Sequence, residues 1–312
     1  MKISISGRRH AASCLLTLVA FSGPASALDG DRIRPGVGLT YTYISNLFYV
    51  DDRRDPRTLP FLKDGQKSDH ILGLRASLDA DIPVSRQMFT LRSTATDNTY
   101  ATYDNLNYVS YNVRGTWNWV VGSDWDGDVG MSQSQMLGSF ADVRLIERNI
   151  RTIQEVFSSG MYRLGADWKL RAAVRSTTVD NSAANFRSFN RDDTTYELGS
   201  RYYSKGRDNY LGLNFRATDG QFPNREVVAS STVDNSYRQY TVEGQVDWRY
   251  SGLSQLSGVL GWTNRLHDQV SSRNFSGITG RLSGIYNPSG SIGLNAAIFR
   301  EIGSFEDITT SY

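Results

Sequence analysis

The sequence predicts an all-β fold, a transmembrane, antiparallel, up-and-down β-barrel of the outer membrane. Three observations predict it. Apolar and polar residues alternate with a period of two in many segments of about ten residues, short and long connections follow one another in turn, and tryptophans gather beside the short ones. Together these patterns are typical of a sheet with lipid on one face and water on the other.

The composition agrees with β-structure. The chain has 312 residues, of which 12% are aromatic, 28 are glycine and only 7 are proline. Disordered chains are poor in aromatic residues, and aromatic residues are enriched in strands. No segment beyond the N-terminal signal has 18 consecutive apolar residues, so no transmembrane helix is predicted.

The N-terminus has the features of a Sec-type secretory signal. Basic residues stand at positions 2, 8 and 9, a short apolar run covers Ala11 to Gly23, and Ala25-Ser26-Ala27 is a small-residue cleavage site. Cleavage after Ala27 divides the chain into a signal peptide, 1–27, and a barrel, 28–312. The alternative is a retained N-terminal membrane anchor.

Cleavage also changes the charge and the cysteine content. It removes three of the 34 Lys and Arg but none of the 32 Asp and Glu, so the mature chain is near −1. That balance argues against a nucleic-acid partner, which requires a concentrated basic surface. The single cysteine, Cys14, leaves with the signal, so no disulfide and no thiolate chemistry are expected.

About 13 strands are predicted for the mature chain. Between Tyr240 and Tyr250, for example, every second residue is apolar or aromatic and every residue between is polar. The clearest alternation covers 72–82, 109–119, 211–217, 240–250, 256–262 and 278–284, and weaker alternation lies near 36–48, 88–96, 125–135, 152–164, 168–175, 194–203 and 292–301.

The connections sort into two classes, as in outer-membrane barrels with short periplasmic turns and longer outer loops. The short ones are Pro83–Gln87, Gly122–Asp124, Gly165–Asp167, Ser204–Asp208, Ser251–Ser254 and Asn287–Ser291. The long ones are Asp51–Asp69, Asp97–Asn105, Met136–Asn149, Ser176–Asp193, Asp219–Ser236 and His267–Asn274.

Aromatic residues close to the short connections predict an interfacial girdle, because an indole has an apolar body and a polar N–H. The predicted girdle is Trp117, Trp119, Trp125, Trp168, Trp248, Tyr250 and Tyr286. The alternative is the core of a soluble sandwich, in which tryptophans scatter along the strands.

The polar face is predicted to line a wet lumen, since unpaired charges are too costly for a dry interior. Its candidate polysaccharide-contacting residues are Arg114, Arg171, Arg175, Glu197, Arg201, Arg216, Glu243, Asp247, Arg249, Arg265 and Arg281. Guanidinium groups bind carboxylates and hydroxyls in a fixed geometry. The equally weighted alternative is an arginine–carboxylate ladder that holds the barrel wall.

Thirteen is an odd number, whereas bacterial barrels have an even number of strands. We therefore expect a sequence truncated from a larger barrel of about 16 strands, with C-terminal strands missing. The alternative is a 14-stranded barrel whose last strand is Asp307–Tyr312 and whose terminal aromatic residue is Tyr312.

The sequence predicts no catalytic residue, no cofactor and no metal site. The mature histidines, His70 and His267, have no nucleophile placed beside them by a recognisable motif. The acidic pairs Asp51-Asp52 and Asp192-Asp193 are interpreted as solvated loop acids, with calcium or lipopolysaccharide contact as the alternative.

Four segments together resemble the EpsL family of outer-membrane β-barrel proteins, which are encoded with exopolysaccharide genes, often beside the exosortase B system. The segments are RIRPGVGLTYTYISNLF (Arg32–Phe48), YNVRGTWNWVVGSDWDGDVG (Tyr111–Gly130), RATDGQFPNREVVASSTVDNSYRQ (Arg216–Gln239) and RNFSGITGRLS (Arg273–Ser283). Ile44-Ser45 stand where members often have acidic residues, so no role of those acids is carried over. Family chains are also longer by a few strands, as expected for a sequence truncated after Tyr312.

The resemblance implies a role in exopolysaccharide production, with passage across the outer membrane of a Gram-negative bacterium. The partners it implies are outer-membrane lipid and lipopolysaccharide, the exopolysaccharide chain, and periplasmic export or chain-length proteins. A docking barrel and a general small-solute porin are the alternatives. The family segment GQFPNR includes Phe222, Pro223, Asn224 and Arg225, a candidate constriction loop whose plainer interpretation is a rigid turn.

Overall fold

The structure is a computed structural model that describes residues 15–24, 32–140, 146–204, 209–228, 231–289 and 292–302. Within them the fold is all-β. The strands are β1 (Leu15–Pro24), β2 (Ile33–Ile44), β3 (Asp69–Val84), β4 (Gln87–Tyr100), β5 (Tyr108–Val121), β6 (Trp125–Leu137), β7 (Ile150–Leu164), β8 (Trp168–Asn181), β9 (Arg191–Tyr203), β10 (Tyr210–Gln221), β11 (Glu226–Val228), β12 (Ser231–Val233), β13 (Tyr237–Ser251), β14 (Ser254–His267), β15 (Phe275–Ser289) and β16 (Ile292–Arg300). Short 3-10 helices lie in the loops at Pro56–Thr58, Lys63–Gly65, Asp104–Leu106, Ala184–Phe189 and Ser271–Arg273.

The strands form one antiparallel sheet in which each strand pairs with its neighbours in the chain. The order runs from β1 to β10 and continues through β13 to β16, while β11 and β12 form a separate hairpin within one long loop. The predicted up-and-down arrangement is confirmed for the 13 strands from β2 onward. Most of the weaker segments are also longer than their alternation indicated, because pairing continues into loops that the sequence assigned as irregular.

Strand β1 lies within the predicted signal peptide. Its backbone pairs with β2 from Leu15 opposite Ile44 to Pro24 opposite Gly36. The basic residues at the start of the signal, Cys14 and the cleavage site at Ala27 lie outside the described residues, as does the predicted last strand, Asp307–Tyr312. If cleavage follows Ala27, β2 becomes the first strand of the mature sheet.

The two faces of the sheet have opposite chemistry. Leu74, Leu213 and Leu260 are among many large apolar side chains that stay exposed on one face. Asn214 and Glu243 are buried on the other. A soluble protein buries its apolar face, so this sheet has the reverse distribution, which suits a lipid-facing exterior.

The sheet curves around its polar face. One cavity of about 500 Å³ is lined by side chains from Arg114 on β5 through to Arg265 on β14, and by Ile302, which follows β16. Side chains from strands this far apart in a sheet meet at one cavity only if the sheet curls. Among the described residues, β1 and β16 are the ends of the pairing order and are not hydrogen-bonded to each other.

Tight turns close the hairpins at the end with short connections. Ser85, Gly122 and Gly165 have positive φ angles of 56°, 61° and 72°. Glycine adopts this left-handed conformation without steric cost, which accounts for two of the three positions. Ser85 is the exception, because it carries a side chain although its backbone adopts a conformation that favours glycine.

Candidate functional site

Arginine–carboxylate networks cover the concave face of the sheet. The largest runs across four neighbouring strands, from Arg171 on β8 through Glu197 on β9 and Arg216 on β10 to Glu243 on β13. Arg171 pairs with Glu197, and Arg216 lies 3.7 Å from the second oxygen of that carboxylate. The Arg216 Nη2 to Glu243 Oε1 distance is 2.8 Å. The strand register brings these residues side by side, since Arg216 stands directly opposite Glu197.

A second network shares one carboxylate between two guanidinium groups. Glu155 on β7 lies 3.4 Å from Arg114 Nη1 and 3.3 Å from Arg175 Nη1. The Arg114 guanidinium also lies over the Phe157 ring, 4.3 Å from its centroid, in a cation–π contact. One carboxylate therefore pairs with two guanidinium groups at this point on the concave face.

A third network lies nearer the long loops. Arg191 Nε is 2.6 Å from Asp193 Oδ2, and the Tyr237 hydroxyl donates to Asp193 Oδ1 at 2.9 Å. Arg265 stacks over the Tyr237 ring at 4.2 Å and donates from Nε to Gln239 Oε1 at 2.9 Å. The charge of Arg265 is thus held by neutral groups, an aromatic face and an amide oxygen.

The structure brings together some of the predicted lumen residues but not all of them. Arg114, Arg171, Arg175, Glu197, Arg216 and Arg265 line the larger cavity, and Glu243 lines a neighbouring one with Arg216. Arg201 stacks on Tyr210 at 4.7 Å instead. Arg281 pairs with Glu301 at 2.9 Å.

The remaining two predicted residues lie near the turn between β13 and β14. Asp247 accepts a hydrogen bond from Gln255 at 3.0 Å. The backbone N–H of Arg249 donates to Asn209 at 2.8 Å, and its side chain is exposed. Neither residue lines the larger cavity.

Sequence reasoning missed several residues of this cavity, including Asp128, Arg191, Asp193 and Tyr237. Arg191 and Asp193 lie in a stretch assigned to the loop Ser176–Asp193, although β9 begins at Arg191. If the alternation is extended back from Thr195, both residues lie on the same face as Glu197. The sequence pattern could therefore have identified them. Tyr237 was missed because it lies between the predicted loop, Asp219–Ser236, and the predicted strand, 240–250, whereas the strand begins at Tyr237.

The predicted girdle residues lie on the convex face. Trp117, Trp125, Trp168, Tyr250 and Tyr286 are all exposed there. Trp119 packs over the backbone of Gly127 and Gly160, where a β-carbon at Gly127 would lie only 2.4 Å from the indole. Cross-strand partners accompany several girdle residues, such as Tyr162 beside Trp125 with 4.7 Å between ring centroids.

At the opposite end, the long loops form a small core of their own. Loops 45–68, 101–107 and 138–149 contribute most of a buried cluster of Leu47, Phe48, Val50, Leu62, Tyr100, Tyr103, Leu106 and Phe140. Phe48 is central to it, with edge-on contacts to Tyr103 at 4.8 Å and to Phe140 at 5.0 Å. No periodic pattern in the sequence predicts this loop core.

A fully buried carboxylate organises the base of the loop core. Asp69 accepts backbone hydrogen bonds from His70 at 2.7 Å, Thr102 at 2.9 Å and Tyr103 at 2.9 Å. Burial raises the pKa of the Tyr103 phenol, which donates to the carbonyl of Gln66 at 2.5 Å. Asp69 therefore fixes one long loop onto the next.

Further hydrogen bonds link all six long loops in series, and we call this arrangement the loop collar. The bonds that join successive loops run from Lys63 to Thr102, Arg148 to Asn107, Asn185 to Glu147, Asn224 to Arg187 and Asp234 to Gln269. The collar runs along one end of the curved sheet.

The candidate constriction loop belongs to this collar. The Phe222 N–H donates to the Ser236 hydroxyl at 3.3 Å, Asn224 reaches the neighbouring loop, and Arg225 lies 3.5 Å from Asp234. Phe222 and Pro223 line a separate cavity of about 390 Å³ with Asp192, Asp219, Asp234 and Asp268. None of the four residues predicted for the constriction lines the larger cavity.

No family model and no curated protein sequence matches this chain. Within the described ranges, no helix is long and apolar enough to cross a bilayer. The same ranges contain no cluster of three or more His, Cys, Asp or Glu side chains suited to a metal ion.

Proposed function

We propose that the chain is an outer-membrane β-barrel that serves exopolysaccharide export as a passive polar conduit. The observation that carries the proposal is the reversed polarity of the sheet, with large apolar side chains exposed on the convex face and charged networks on the concave face. A sheet of this polarity is stable where lipid contacts its outside and water fills its inside.

Closure of the sheet is part of this proposal. In hydrocarbon, every backbone N–H and C=O must be paired, so an open edge at β2 or β16 is costly. We expect these edges to be satisfied in the membrane, either by each other or by additional strands. The curvature that joins β5 to β14 around one cavity is in the sense that closure requires.

Two observations support a polysaccharide as the cargo. The four segments that resemble the EpsL family imply exopolysaccharide as the cargo. The concave wall supports it, because guanidinium, hydroxyl and amide groups such as Arg175, Thr195 and Gln239 all bind sugar oxygens. The sequence contains no nucleotide-binding motif, so we propose passive passage.

The second candidate function is a docking barrel that anchors the polysaccharide machinery. It is favoured by the ion pairs themselves, since seven of the eleven predicted lumen residues, among them Arg171 and Arg216, make salt bridges to another strand or, for Arg281, to the residue after one. Such networks stiffen a wall whether or not anything passes through it. A general porin for small solutes is the third candidate function, and the same charged concave face supports it.

Deletion of the gene tests the proposal. We expect polymer to accumulate in the periplasm and to disappear from the cell surface, and a plasmid copy to restore export. Normal surface polymer in the deletion strain would contradict a role in export. Altered uptake of small solutes with normal polymer would favour the porin instead.

Conductance separates the conduit from the docking barrel. Purified protein in planar bilayers is expected to give stable open channels. A polymer defect in the deletion strain together with a silent bilayer would favour the docking barrel.

A further inference from the structure

In the pairs around Glu155 and Glu243 on the concave face, the guanidinium group is clearly more exposed than the carboxylate. In the network around Glu155, the side chains of Arg114 and Arg175 are 45% and 56% exposed, whereas that of Glu155 is 19% exposed. Arg216 is 34% exposed, and its partner Glu243 is 6% exposed. The arginine is the more accessible partner in each of these pairs.

This layering makes the surface cationic, and the numbers of charged groups agree, because six arginines but only three carboxylates line the larger cavity. A permeating anionic group comes closest to the exposed guanidinium groups, while the recessed carboxylates stay farther away. Because Coulomb energy falls with distance, the attraction exceeds the repulsion. Arg265 adds a further positive charge to the cavity lining, where its direct contacts are with an aromatic ring and an amide. Glu155 adds to it as well, because it compensates only one of the two guanidinium groups that it contacts.

The acidic cavity at the long-loop end does not cancel this surface. Asp192, Asp219 and Arg238 lie on the same face of their strands as Tyr196, Leu213 and Tyr240, which are exposed on the convex side. These three side chains therefore point away from the concave face, although Tyr237 lines both cavities.

From this geometry we infer that the wall selects an anionic polysaccharide, one whose sugars carry carboxylate or other acidic groups, over a neutral one. Paired N–H donors of a guanidinium match the two oxygens of a carboxylate. Accessible arginines spaced along several strands give an acidic polymer a series of exchangeable contacts. This inference rests on the proposed function and names the class of its cargo.

Binding measurements on the detergent-solubilised full protein test the inference without requiring conduction. The probes are oligogalacturonate and the same oligomer with its carboxylates fully methyl-esterified, which differ in charge but not in sugar. We expect the acidic oligomer to bind at least about tenfold more tightly at low salt, with the difference shrinking as salt is added. Equal binding of the two oligomers, or binding of neither, would overturn the inference.

The variant R175Q/R265Q removes two guanidinium groups of the cavity lining and leaves each carboxylate with a partner, since Arg114 still contacts Glu155. It is expected to lose most of the preference for the acidic oligomer. The matched control is R238Q, which makes the same chemical change at an exposed arginine on the convex face. R238Q is expected to keep the preference, and a loss equal to that of R175Q/R265Q would also overturn the inference.

The outcomes also separate this inference from the proposed function. Selective binding of oligogalacturonate by a protein that conducts nothing would support the inference and contradict the conduit. Stable conductance with no preference between the two oligomers would contradict the inference and leave the conduit standing.

Discussion

Asp69 and Asp104 lie within the same group of loops, yet their surroundings give them different roles. Asp69 is fully buried and accepts three backbone N–H donors. Asp104 is exposed and pairs with Lys63 at 2.6 Å, and the Lys63 ammonium lowers the pKa of the Asp104 carboxyl. Buried acceptors of several N–H groups determine local structure, whereas exposed ion pairs contribute little.

We expect Asp69→Ala to loosen the loop core. The change leaves the part-buried N–H of Thr102 and the buried N–H of Tyr103 without an acceptor, at a cost of about 1–3 kcal/mol for the buried group. Hydrogen exchange measured by mass spectrometry should become faster in 45–68 and 101–107 and stay unchanged in the strands. Asp104→Ala is the matched control, and exchange as fast as in Asp69→Ala would contradict this role of Asp69.

Single residues also mark the limit of what the sequence predicts about the site. Alternation alone places Glu243, Arg171 and Arg216 on the polar face. It does not give their partners, because a partner depends on the register of the neighbouring strand. Glu155 was missed as a shared carboxylate for the same reason, although its own strand was predicted.

At the scale of the strands, existence and order were predictable, and the ends were less so. Strong alternation in 240–250 and 256–262 corresponds to β13 and β14, which pair with Val246 opposite Gly258. The observed strand ends differ from the predicted ones where a strand continues into a largely polar stretch, as at Thr177–Asn181 of β8. Such extensions lack the alternation of apolar and polar residues, because they lie beyond the part of the sheet whose large apolar side chains are exposed.

The register of β13 is testable with spin labels. The single native cysteine, Cys14, lies in the predicted signal, so introduced cysteines can be labelled selectively. A label at Val246 should be accessible to oxygen dissolved in lipid, and a label at Asp247 should be accessible to a water-soluble nickel chelate. Leu260, on the convex face of β14, is the control expected to behave like Val246. The reverse accessibility at 246 and 247 would contradict the orientation of the sheet.

The loops show the opposite balance between prediction and structure. The alternation of short and long connections was predicted from the sequence, but the exact loop bounds and the packing of Phe48 against Tyr103 and Phe140 were not. Contacts between loops of different hairpins join residues far apart in sequence, and no local pattern encodes them. The same holds for the candidate constriction loop, which hydrogen-bonds to its neighbours in the collar.

At the scale of the whole molecule, the N-terminal segment decides which strand begins the sheet. The structure pairs β1 with β2, whereas the signal features predict that β1 is removed with residues 1–27. The mature sheet would then begin at β2 and keep 13 of its strands within the described part of the chain.

Mass spectrometry of the protein purified from outer membranes tests this prediction. We expect an N-terminus at Leu28, because small residues at 25 and 27 suit signal peptidase. A variant with Ala27→Trp is expected to retain the signal and to leave the outer membrane depleted of the mature form. Recovery of wild-type protein that still contains Leu15–Pro24 would show that β1 is a structural strand.

The loop collar has a consequence for how the molecule is recognised from outside the cell. In the proposed orientation the collar faces the medium, where antibodies and phages attach. A typical antibody covers about 800 Å² of its antigen, more than one short loop offers. Because hydrogen bonds join each loop to the next, as Asn224 joins Arg187, a footprint of that size includes segments from two or more hairpins. Antibodies raised against the folded protein are therefore expected to ignore the corresponding linear peptides.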